Sequence, residues 1–231
     1  MKKISFLIIC CSFLSILKTN AQREVIEYQT EEDKKTIHWG YYLGFNKKDF
    51  KISYLNSDTY IETEPTLGFN VGLIGGWKLH NNVTLRIEPG LSSNTKTLAF
   101  TNIPGGERDS IRKVGGTYMH VPLLLKLSTN RLGNMRPYIV AGVSYDYNFS
   151  SNEKNPDDNF SGEFRMKSHN FGYEVGFGVD LYLPYFILSP SIRGTFAINN
   201  ELVPDNTADS PWTGPIDYFG TRGVFINLAF H

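Results

Sequence analysis

From residue 38 onward almost every apolar stretch alternates with a period of two, and that alternation constrains the fold more than any other feature of the chain. Such a pattern sends successive side chains to opposite faces of a strand, so each segment carries one apolar face and one small or polar face. Leu67, Phe69, Val71, Leu73, Trp77 and Leu79 share a face opposite Gly68, Asn70, Gly72, Gly76 and Lys78, with Ile74 as the exception. Across the turn at Asn81-Asn82, Val83, Leu85, Ile87, Pro89 and Leu91 oppose Thr84, Arg86, Glu88, Gly90 and Ser92. The cleanest case sets Phe171, Tyr173, Val175, Phe177, Val179, Leu181 and Leu183 against Asn170, Gly172, Glu174, Gly176, Gly178, Asp180 and Tyr182.

Rougher alternation over Ile37 to Asp49, Thr117 to Leu127, Arg136 to Asn148, Phe186 to Asn199 and Thr221 to the C-terminus brings the expected total to eight strands. Each runs to roughly 10 to 14 residues, longer than globular strands and sufficient for a tilted strand to cross a bilayer. Connections alternate in length. Short turns fall near residues 80–82, 128–135 and 184–185, and long polar loops near 55–65, 93–116, 149–167 and 200–220. These features predict an all-β protein, an eight-stranded antiparallel up-and-down transmembrane β-barrel, with short turns and both chain ends in the periplasm and long loops outside. Closure follows from physics: lipid gives a free sheet edge no hydrogen-bond partner. The apolar face then meets lipid, and the Gly-rich face lines a lumen just wide enough for side chains.

Lys78, Arg86, Glu88, His120, Lys126, Glu174, Asp180 and Arg193 fall on the inner phase of their strands. A charge in so narrow a lumen must be paired to offset its desolvation, so these residues are expected to form a packed interior charge network rather than a conducting path.

The N-terminus reads as a signal peptide over residues 1–21: Met1-Lys2-Lys3, an apolar run from Ile4 to Leu17, then Thr19-Asn20-Ala21 before Gln22. The run is too short for a spanning helix, which needs about 20 residues. Residues 22–36 (QREVIEYQTEEDKKT) are polar, mixed in charge and without periodicity, and are expected to form a solvated periplasmic tail or to dock a periplasmic partner; the barrel occupies 37–231. Cys10 and Cys11 both lie in the leader, behind Leu7-Ile8-Ile9 where lipoprotein processing wants small residues. The mature chain therefore has no disulfide, thiolate metal site or cysteine nucleophile. Removing Lys2, Lys3 and Lys18 from the 23 basic residues leaves 20 against 23 acidic ones, which argues against a nucleic-acid partner.

The histidines, His38, His80, His120, His169 and His231, stand in no HExxH motif, and no GxSxG occurs. A trio such as Ser168, His169 and Asp146 is the kind that any many-stranded chain offers by chance. The expectation is a non-enzyme without cofactors or metal, in contact with outer-membrane lipid.

Four stretches carry a resemblance: Val121-Pro-Leu-Leu-Leu-Lys126, Arg136-Pro-Tyr-Ile-Val-Ala-Gly-Val-Ser-Tyr145, Phe171-Gly-Tyr-Glu-Val-Gly-Phe-Gly-Val-Asp180 and Leu188-Ser-Pro-Ser-Ile-Arg193. In order and spacing they resemble the PorT-like barrels of Bacteroidetes, and among these the PorT/SprT family linked to type IX secretion and gliding motility. Over roughly residues 38–231 the resemblance implies an outer-membrane component of that secretion machine, with other subunits as partners and no catalytic residues. The terminal Phe230 looks like the aromatic used to insert such barrels, although His231 follows it.

Overall fold

The computed structural model describes residues 26–55, 60–100, 110–153, 164–205, 210 and 212–231; the leader reading of 1–21 lies outside them. Ten strand segments follow one another: β1 (Ile37–Tyr54), β2 (Ile61–Pro65), β3 (Leu67–His80), β4 (Val83–Ile87), β5 (Gly90–Phe100), β6 (Ile111–Ser128), β7 (Met135–Asn148), β8 (His169–Tyr182), β9 (Ile187–Ala197) and β10 (Ile216–Phe230). Two breaks separate segments of the same stave. Thr66 divides β2 from β3, and Glu88-Pro89, where proline lacks a ladder N–H, divides β4 from β5, which both pair with β3 and β6. Ten segments thus make a ring of eight staves, antiparallel throughout and closed by β1 pairing with both β10 and β3.

The alternation places side chains as expected through the middle of the barrel. Tyr41, Leu43 and Phe45 of β1 point outward and are exposed, whereas Tyr42, Asn46 and Lys48 point inward and are buried. Interior aromatics need room, and facing glycines provide it. A Cβ on Gly90 would stand 2.3 Å from the Tyr42 hydroxyl, and one on Gly72, its cross-strand partner, 2.6 Å from the same ring.

Toward the long loops the strands run further than expected. β1 continues to Tyr54, β5 to Phe100, and β6 starts at Ile111, so much of the segments read as loops over 93–116 and 55–65 is sheet. The period of two persists there but its polarity inverts. On β1 the outward side changes from Phe45 to Lys47 and Lys51, and the inward side from Lys48 to Phe50. On β5 the inward side passes from Ser92, Asn94 and Lys96 to Leu98 and Phe100. An inner apolar and outer polar face is what water, not lipid, requires, so the inversion marks where the staves leave the apolar belt.

Candidate functional site

Three layers fill the lumen. In the middle, a chain of charged groups crosses it from stave to stave. Asp146 Oδ1 lies 2.7 Å from His120 Nδ1, His120 Nε2 lies 2.8 Å from Glu174 Oε1, and Glu174 Oε2 lies 3.4 Å from Arg193 Nη1. Arg193 Nη2 then meets Glu88 Oε2 at 2.8 Å, and the other Glu88 oxygen takes Arg86 Nη2 at 2.7 Å. The His120 ring stacks on Phe225 at 5.3 Å. Nearer the short turns, Lys126 Nζ donates to both Asp180 oxygens at 2.8 and 2.6 Å, Ser189 adds a third bond to that carboxylate, and the ammonium sits 4.0 Å over the Tyr138 ring. Each carboxylate is met by a cation, the arrangement that low-dielectric burial demands.

Of the residues singled out from sequence, Arg86, Glu88, His120, Lys126, Glu174, Asp180 and Arg193 are buried within these groups. Lys78 is not among them. It lies half-buried at the short-turn end and donates to the Asp33 carbonyl at 2.6 Å. Asp146, a full member of the chain, faces inward; His169 bonds the Tyr145 hydroxyl at 2.7 Å and is exposed, and Ser168 bonds Ser151, so the trio Ser168, His169 and Asp146 does not assemble.

At the long-loop end the layer is apolar. Phe50, Leu98, Phe100, Phe164, Met166, Leu202, Ile216 and Phe219 form one buried cluster, with the Phe50 and Phe219 rings 4.2 Å apart. Phe164, Met166 and Leu202, read from sequence as polar loop, pack inside the barrel mouth because their apolar side chains find the inverted inner face of the strands there. Cations border the cluster over aromatic faces: Lys96 Nζ is 3.6 Å from the Phe50 ring centre and Arg112 is 4.4 Å from that of Trp212. Glu201 accepts from the Thr221 hydroxyl at 2.7 Å, and burial pushes its carboxyl above the usual range. Sequence reasoning missed Lys96 and Arg112 because it ended the strands where the alternation inverted, and Glu201 because it lies in a loop outside any periodic pattern.

The short-turn end is closed by the chain's own segment 26–36. Asp33, in a 3-10 turn at Glu32–Lys34, takes Arg131 Nη1 at 2.9 Å on one oxygen and the Tyr182 hydroxyl at 2.9 Å and Arg136 Nη1 at 3.3 Å on the other. Arg131 also lies 3.8 Å over the Tyr182 ring. Asn134 accepts the Tyr28 N–H at 2.9 Å and donates to the Ile26 carbonyl at 2.8 Å. Gly133, with φ of 61°, makes the turn that presents Arg131 and Asn134 on this rim. Segment 26–36 is therefore held on its own barrel by these polar bonds, with most of its residues exposed to water. Behind it a cavity of about 70 Å³ is lined by Lys78, Arg86, Lys126, Arg136, Asp180 and His231, among others. Burial, aided by the Arg86 and Lys126 charges, holds the His231 imidazole down to about 3, so it is neutral. Two smaller spaces in the lumen measure about 20 and 10 Å³. Among the described residues no three His, Asp or Glu side chains are arranged so that they could hold a metal ion.

Comparison with known proteins adds a family and a set of folds. A family described as an outer membrane protein beta-barrel domain matches residues 20–203. No curated protein matches the sequence. Among solved structures, the outer membrane protein OprG from Pseudomonas aeruginosa is 14% identical over 84% of this chain and 93% of that chain, with a TM-score of 0.45. Neisserial surface protein A is 10% identical over 84% and 98%, with a TM-score of 0.42. The attachment invasion locus protein Ail of Yersinia pestis is 10% identical over 83% and 96%, with a TM-score of 0.39.

Proposed function

The chain belongs to the family of outer membrane protein β-barrel domains, and from that premise we propose that it is a closed, non-enzymatic barrel that holds interaction surfaces at the membrane rather than a pore. One observation carries the reading: the ion-pair chain from Asp146 to Arg86 spans the lumen, between an apolar cluster toward the long loops and segment 26–36 at the short turns. An ion crossing this path would have to separate buried pairs, which leaves charges uncompensated in a low-dielectric lumen. Purified protein in planar lipid bilayers is expected to give no stable conductance steps; reproducible open-channel current would refute a closed barrel. The orientation that goes with this reading puts the short turns and segment 26–36 in the periplasm.

A narrower reading rests on the motifs Val121–Lys126, Arg136–Tyr145, Phe171–Asp180 and Leu188–Arg193 alone: a subunit of the type IX secretion machine, supporting protein export and gliding motility through contacts with other subunits. Deleting the gene in its host and following export of proteins with type IX sorting signals tests it, and normal export would exclude it. The wider alternative is a small outer-membrane barrel whose loops adhere to or bind ligands.

A further inference from the structure

The barrel brings an excess of cations to its short-turn end. Arg131, Arg136 and Lys78 stand on the rim, and Lys126 and Arg86 line the cavity behind; Asp180, the barrel's acid in that cavity, is occupied by Lys126. What answers the rim is Asp33. Within segment 26–36 the charges sort themselves: Glu31 pairs with Lys34 at 2.7 Å, Glu32 pairs with Lys35, and Asp33 alone is turned to the barrel's arginines.

The same rim also reads peptide backbone. Asn134 takes both the N–H of Tyr28 and the C=O of Ile26, and Arg131, while holding the Asp33 carboxylate, reaches the Tyr28 carbonyl with its second terminal nitrogen. A lone inorganic anion or a lipid phosphate has no amide group to offer Asn134. The attachment is polar throughout: no residue of 26–36 is buried, and Ile26 is 74% exposed. A segment held without apolar burial is exchangeable, because every bond it makes is one that a competitor of like chemistry makes equally well.

We propose that this mouth is a receptor for an acidic peptide segment, which the chain's own residues 26–36 occupy as a resident, displaceable ligand. It recognises backbone amide and carbonyl groups at Asn134 and Arg131, followed five residues after Tyr28 by a carboxylate between Arg131 and Arg136. A partner protein presenting such a segment would exchange with Asp33 and open the cavity behind it. This inference stands on the geometry of the short-turn end and does not depend on the secretion reading.

The test uses the full chain refolded in detergent and a fluorescein-labelled peptide with the sequence of residues 26–36, followed by anisotropy. The tethered segment competes in the unaltered protein, so the peptide should bind the Asp33→Ala protein about tenfold more tightly, as loss of a charge-assisted bond to the resident ligand implies. Adding Arg131→Ala and Arg136→Ala to that protein should abolish binding, and so should the Asp33→Ala change placed in the peptide instead. Unlabelled octaglutamate, long enough to span from the Ile26 to the Asp33 position, should displace the probe, while inorganic phosphate at equal concentration should not. Absence of binding to the Asp33→Ala protein, binding that survives loss of both arginines, or equal displacement by phosphate would each overturn the proposal. Heat-modifiable migration on a gel confirms that every variant is a folded barrel.

Discussion

The two mouths of this barrel are closed by opposite chemistries. At the long-loop end Phe50, Leu98, Phe164 and Phe219 shut the lumen with buried apolar surface; at the short-turn end a segment with no buried residue does so through Asp33, two arginines and a tyrosine. Apolar burial of that kind is lost only when the cluster comes apart, whereas a polar latch can be exchanged bond for bond. If either end of the molecule switches, it is therefore the short-turn end, with the charged middle layer as the fixed wall between.

The sharpest way to break this picture is through the wall. Glu88 serves both Arg86 and Arg193, so Glu88→Ala strands the buried Arg86 guanidinium and leaves Arg193 only its longer contact to Glu174. The loss should reach or exceed the ~3–5 kcal/mol of one broken buried pair, measured by denaturant unfolding in detergent. Phe219→Ala strikes the loop-end cluster at a fully buried ring and should cost about 3–5 kcal/mol in the same assay. Arg193→Ala should cost less, about 1.5–3 kcal/mol, because Glu88 keeps Arg86 and Glu174 keeps His120. Asp33→Ala, at a partly exposed latch, should change global unfolding by no more than about 1 kcal/mol while loosening residues 26–36. A global loss for Asp33→Ala as large as that for Phe219→Ala would erase the distinction between the two ends.

Most of the barrel was legible in the sequence because lipid imposes a simple rule. Where one face meets hydrocarbon and the other a packed lumen, the period of two carries strand, face and register together, and Arg86, Glu88, His120, Lys126, Glu174, Asp180 and Arg193 could be placed inside from phase alone. The rule failed where the solvent changed. At Lys47 and again at Leu98 the alternation continues with its sides exchanged, and a reading that seeks one apolar face takes the exchange for a strand end. Phe50, Lys96 and Phe219 were hidden for that reason. Lys78 failed differently: its phase is inward, yet at the last turns of a stave inward means the rim, where it meets Asp33. The docking of residues 26–36 has no periodic signal at all, since it depends on Arg131, Arg136 and Tyr182, about a hundred residues or more away.

Hydrogen exchange by mass spectrometry, at about 0.1 M and about 1 M salt, tests the contrast most directly, because the screening length shortens from ~10 Å to ~3 Å over that range. Residues 26–36 should lose protection at high salt, beginning with the Tyr28 amide that Asn134 holds, while the loop-end amide of Glu201, bonded to Phe219, keeps its rate. Equal acceleration at both ends, or none at residues 26–36, would contradict a barrel shut by an exchangeable polar latch at one mouth and a permanent apolar core at the other.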